Sequence, residues 1–125
     1  MKVQVLPLKG LKSIWALNAY NVLLFGLATE QALAGQGFEE TYKNFEGLPL
    51  EAKELQLRRA AGLVNLQEDD MRNLIAFAKD ANGIPFTDAN TAKLAPEDII
   101  DILVAVCLEI SKIKVYSIAE REKKN

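Results

Sequence analysis

Apolar residues recur at three-four spacing over most of this chain, which predicts helices separated by short glycine- and proline-marked turns. Residues 2 to 8 are the exception. There Val3 and Val5 alternate with polar positions before Pro7 and Gly10, the pattern of a short extended arm or edge strand that could pair with a neighbour. Ser13 suits the N-cap of a first helix whose Ile14, Leu17, Asn18, Asn21, Leu24, Phe25 and Ala28 form one face. The opposite face holds Trp15, Ala19, Val22, Leu23 and Gly26, so the helix is apolar on both sides and needs wide cover until Gly35-Gln36-Gly37 breaks it.

Phe38, Tyr42 and Phe45 space an aromatic stripe along a short second helix closed by Gly47 and Pro49. A third, charged helix runs from Leu50-Glu51 through Leu55, Arg58, Arg59 and Leu63 and breaks near Asn65. Asn65 and Glu68 fit a capping box, and Glu68, Asp69 and Asp70 place negative charge on the first turn of a helix that buries Met71, Leu74, Ile75 and Ala78. Asp80-Ala81-Asn82-Gly83 then reads as a turn and Ile84-Pro85-Phe86-Thr87 as an extended bridge. The last helix starts at Pro96, takes Glu97 and Asp98 in its first turn and runs to about Ile118. From Ile99 to Leu108 only Asp101 is charged, so this helix is either central to the domain or keeps a face for another subunit. The expectation is a mainly α, compact multi-helix single domain over residues 1–118 with an extended N-terminal arm, followed by a polar disordered tail over 119–125.

Composition narrows the function more than it narrows the fold. The chain has 125 residues, half of them apolar, enough for a core without disulfides or metal. Its net charge of -2 lacks a nucleic-acid footprint. There is no histidine, which removes the usual general base and the commonest transition-metal ligand. The single cysteine, Cys107, sits between Val106 and Leu108, so an inert buried thiol is expected, and the reducing cytoplasm is the compartment it suits. Ser13 to Thr29 imitates a signal-peptide core ahead of Ala32-Leu33-Ala34, but Asn18 and Asn21 interrupt it and argue against both export and a membrane span.

Constellations that could carry chemistry fail on spacing. Asp80, Asn82, Gly83, Asp88 and Asn90 invite a calcium loop, yet counting from Asp80 puts Pro85 at the required glycine and Thr91 at the closing glutamate, and counting from Asp88 puts Lys93 at the glycine. Glu68, Asp69 and Asp70 point in different directions from one helix start, where their capping role suffices. Lys53, Arg58 and Arg59 form a modest basic patch interleaved with Glu51 and Glu54, the composition of a solvated face. No catalytic, cofactor or metal site is expected. Trp15, Phe38 and Tyr42 are the candidate partner-binding residues, since aromatics dominate interface energetics, although core packing competes for them.

The extended arm, the helical body, the segment Leu94-Ala95-Pro96-Glu97-Asp98-Ile99-Ile100 and the charged C-terminal end together resemble the tail assembly chaperones of long-tailed phages. These are small acidic proteins encoded just before the tape-measure protein. The resemblance implies a non-enzymatic fold that multimerises, coats the apolar tape-measure protein and keeps it soluble while tail-tube subunits are recruited, in the host cytoplasm. It also implies, for many members, a frameshifted longer form, with which Lys123-Lys124-Asn125 is compatible if adenine-rich codons encode it. The competing expectation is a structural head-tail connector or neck subunit whose apolar faces close a permanent ring. A small helical enzyme working with carboxylates alone is a third, and it requires a carboxylate cluster converging in a pocket.

Overall fold

The computed structural model describes all residues except Ala34, Gln36 and Asn125, and all side chains except those of these three, of Leu11, Lys12 and Phe38, and of residues 114–124. The fold is mainly α. In chain order it comprises β1 (Gln4–Val5), α1 (Gly10–Leu33), α2 (Phe38–Glu46), α3 (Leu50–Leu63), α4 (Glu68–Ile75), β2 (Ala78–Lys79), α5 (Asp88–Thr91) and α6 (Pro96–Lys124).

The N-terminal arm finds its partner inside the chain. β1 pairs antiparallel with β2, Gln4 opposite Lys79 and Val5 opposite Ala78, and the Gln4 side-chain amide donates to the carbonyls of Asp80 and Ala81. This pairing explains why Ala78 departs from expectation. Met71, Leu74, Ile75 and Ala78 have helical spacing, but α4 ends at Ile75 and Ala78 is a buried strand residue held from a site more than seventy positions away. The turn that follows is built as its composition indicates. Gly83 takes a left-handed φ of 80°, and Asp80 Oδ1 accepts from the N–H groups of Asn82 and Ile84 at 2.8 and 3.0 Å.

Several caps differ from those the sequence suggests. α1 begins at Gly10, whose φ of 73° turns the chain into the helix, so Ser13 lies within the first turn and is not the N-cap. Gln67, not Asn65, precedes α4 and makes no side-chain cap, leaving Glu68, Asp69 and Asp70 to complement the helix dipole. The capping box occurs instead at the four-residue α5, where Thr87 Oγ1 accepts from Asn90 N–H and Thr87 N–H donates to Asn90 Oδ1. α6 continues past Ile118 to Lys124, and the expected tail disorder falls on residues whose side chains lie outside the description.

α6 is the central helix. It packs against α1, α3, α4 and both strands, and Ile102, Leu103, Val104, Val106, Cys107, Ile110 and Ser111 are buried while Ile99, Ile100 and Leu108 are half-buried against the same core. Between Ile99 and Ser111 its apolar side chains are thus buried or half-buried within the domain, whereas Ile113 is exposed. A further exposed apolar surface lies on α1.

Candidate functional site

A helix turns by 100° per residue, so the buried positions of α1 define which side faces the core. Ala16, Ala19, Tyr20, Leu23, Leu24, Leu27 and Ala28 are buried, and together they occupy one side of the helix. The sequence-level face through Ile14, Leu17 and Phe25 is thus turned outward, and only Leu24 and Ala28 of that set are buried. α1 packs against α3 and α4, and three of its buried positions, Ala16, Ala19 and Ala28, carry side chains short enough for close packing.

What remains on the outer side is large and uncharged. Ile14, Trp15 and Phe25 keep 55%, 56% and 60% of their surface exposed, and Leu17 and Val22 are exposed beside them. No Asp, Glu, Lys or Arg occurs between Lys12 and Glu30. Together these five side chains expose on the order of 500 Å², an amount that is often functional, with the amides of Asn18 and Asn21 lying among them on the same side of the helix. Ile14 and Leu17 also border a shallow cavity of about 150 Å³ completed by Leu8, Ile110 and Ile113.

Trp15 and Tyr42, two of the three aromatics singled out in the sequence, do not converge. Trp15 sits on the outer face near the start of α1. Tyr42 is half-buried on α2, packed against the core, and its hydroxyl is pushed above the ordinary tyrosine range by burial. α2 shares a cavity with α1 at Leu27 and Gln31, roughly 18 and 24 Å along the helix from Trp15 at about 1.5 Å per residue. The Phe38 side chain lies outside the described residues. Ile14, Leu17, Val22 and Phe25 belong to the exposed surface and were not singled out. The absence of charge along Ser13–Thr29 was their signal, but it left open which half of the helix would be outside.

Cys107, Asp80, Asp88, Glu68 and Asp69 are buried or have structural partners. Cys107 is buried, and burial pushes its thiol up to about 12, so it carries no thiolate near neutral pH. Arg72 gathers the acidic cluster: Nε donates to Asp88 at 2.7 Å, Nη1 to Asp69 at 3.1 Å and Nη2 to Glu68 at 2.9 Å, tying α4 to α5. Asp80 and Asp88, both needed for a calcium loop, are thus engaged separately, the first in its turn and the second by Arg72. Among the described residues no group of three metal-ligating side chains converges.

The basic patch also dissolves. Lys53 is buried with Nζ 5.9 Å from the centre of the Phe45 ring, Arg59 pairs with Glu30, and Arg58 donates to Asp101 at 2.7 Å and to Glu54 at 3.2 Å. The cavity of about 200 Å³ between α1, α2 and α3 is lined by Leu27, Phe45 and Leu48 with Thr41 and the amides of Gln31, Asn44 and Gln56, a set with no group that titrates near neutral pH. Among the described residues no helix is long and apolar enough to cross a membrane. No protein-family model, no curated protein and no solved structure matches this chain.

Proposed function

We propose that this protein is a non-enzymatic assembly factor whose α1 outer face takes an apolar helix of a protein partner, and that it serves as a tail assembly chaperone of a long-tailed phage. The observation carrying this reading is the uncharged surface of Ile14, Trp15, Leu17, Val22 and Phe25 on the side of α1 turned away from the core. At about 25 cal/mol per Å², covering roughly 500 Å² of it yields on the order of 12 kcal/mol before association costs, which are of comparable size. Binding is therefore reversible. Reversibility suits a chaperone that must release a tape-measure protein once tail-tube subunits arrive. The partner's matching feature is an apolar stripe at helical spacing, whose burial in a groove or against a helix face is a recurrent recognition mode.

Co-expression with the proposed client, a tape-measure protein that this reading expects to be encoded beside this chain, tests the proposal. The expected result is transfer of that protein from the insoluble to the soluble fraction, lost when Trp15→Asp removes the face while helical circular dichroism is unchanged. A folded wild-type chain that neither solubilises nor co-purifies with the neighbour overturns it, and a closed ring stable without any client favours the connector or neck subunit instead.

A further inference from the structure

β1 has one edge in use and one open. Leu6 N–H donates to the Phe77 carbonyl at 2.7 Å, which together with the register makes Leu6–Phe77 and Gln4–Lys79 the hydrogen-bonded pairs of the ladder. Bonded and non-bonded pairs alternate in an antiparallel ladder, so the N–H and C=O of Val5, and of Val3 before it, point away from β2. The far edge of β2 is already occupied. Phe86 N–H donates to Ala78 O at 3.1 Å and Asp80 N–H to Ile84 O at 2.9 Å. The outer side of β1 is thus the place where a further strand can add, over the few residues before Pro7, which has no N–H to offer.

A groove runs beside that edge. Val3, Val5, Leu50, Ala105 and Leu108 line a cavity of about 390 Å³, and a second of about 190 Å³ continues it past Val3 toward Arg58 and Asp101. The charges at its two ends are paired: Glu109 with Lys112 at 2.9 Å, and Asp101 with Arg58 at 2.7 Å. An incoming charge would lose its hydration and find each counter-charge engaged. A helix, whose backbone bonds are internal, would leave the outward groups of Val3 and Val5 unpaired, whereas an extended chain pairs them.

We infer that the open edge of β1 accepts an extended segment of a partner protein as an added strand, apolar at alternate positions and uncharged at its centre, with its side chains entering the groove over α6. This site is separate from the α1 face and stands whether or not that face binds a helix.

The probe is the blocked peptide Ac-Lys-Thr-Val-Thr-Val-Thr-Lys-NH2, titrated into the isotope-labelled full chain and followed by nuclear magnetic resonance, beside a copy N-methylated at alternate residues. The unmodified peptide should shift the Val3 and Val5 amides and slow their hydrogen exchange at least roughly tenfold at saturation. The N-methylated copy should do neither. Val5→Pro removes the outward N–H while the β1–β2 bonds through Gln4 and Leu6 remain, and is expected to weaken binding at least roughly tenfold. Three results overturn the proposal: equal binding of both peptides, binding by neither, or Val3 and Val5 amides already protected in the free chain in a concentration-dependent way, which would assign the edge to a second copy. The peptide comparison alters no residue of the protein, so it decides even if Val5→Pro fails to fold.

Discussion

Gly26 of α1 lies directly against Val64, so closely that a Cβ added at position 26 would fall within the Val64 side chain. Val64 closes α3, its N–H donating to Ala60 O at 2.9 Å, and packs against the core. The missing side chain on α1 thereby sets where the α3–α4 connection crosses the helix. Gly26→Ala is expected to destabilise the domain by about 1–3 kcal/mol through overpacking, despite alanine's better helix propensity. Adding Val64→Ala should recover part of that loss in a chemical denaturation series. Additive losses would show that the two positions do not share one space.

This contact also shows what the sequence could convey. Gly26 is visibly a small residue in an apolar helix, but the residue that needs the space is thirty-eight positions away. The same holds for the orientation of α1: with apolar side chains all round, periodicity does not separate inside from outside, and packing against α3 and α4, with Ala16, Ala19 and Ala28 buried, settles it. β2 was hidden because Ala78 continues a helical spacing that pairing with β1 and the hydrogen bond from Phe86 interrupt. By contrast Pro96, Glu97 and Asp98 encode the start of α6 locally, and Asp80 to Gly83 encode their turn, so both are legible without the rest of the chain. Of the candidate site, Trp15 was legible; the neighbours that make it a surface depended on the packing of α1.

The Cys107 thiol tests the interior of α6. Its folded-state value is raised to about 12 by burial against about 8.5 for an unfolded cysteine, so the stabilisation from keeping it neutral is complete below about pH 8.5 and is lost as pH rises toward the folded value. Native protein should resist a thiol reagent at neutral pH and react stoichiometrically once denaturant is added. Rapid native labelling would mean that α6 opens on the labelling timescale.

Asp101 joins α6 to α3. The Arg58 hydrogen bond, with that of the N-terminal amine of Met1 at 3.3 Å, holds its carboxyl below the ordinary aspartate range. A lowered folded-state value means stability that is present above the unfolded value of about 3.9 and is lost as pH falls through the folded one. Because the Arg58 and Asp101 side chains are 40% and 21% exposed, the pair is worth no more than about 1 kcal/mol. Wild type should lose that increment on acidification below about pH 4, and Asp101→Asn should lack it already at pH 7. An identical acid profile for both proteins would remove the pair from the account of how α3 is held.

Thr87 anchors the connection into α5. Its side chain and that of Asn90 satisfy each other's backbone N–H groups, and Thr91 Oγ1 donates to Thr87 O at 2.7 Å. Thr87→Ala is expected to cost about 1 kcal/mol, read from the denaturation midpoint, while leaving α1 exposure unchanged. A null effect would mean that Arg72 and Asp88 hold α5 without the cap.

The central claim is that the α1 outer face is the surface a client helix covers, and the chain carries its own reporter there, since Trp15 is its sole tryptophan. Trp15 emission from the full chain should be that of a solvent-exposed indole when alone. It should shift to the blue, saturably, when a soluble helical fragment of the proposed client is added, and Val22→Asp should abolish the shift while circular dichroism stays helical. An unchanged Trp15 emission from a chain that nevertheless holds the fragment in solution would place the client on another surface and contradict the assignment.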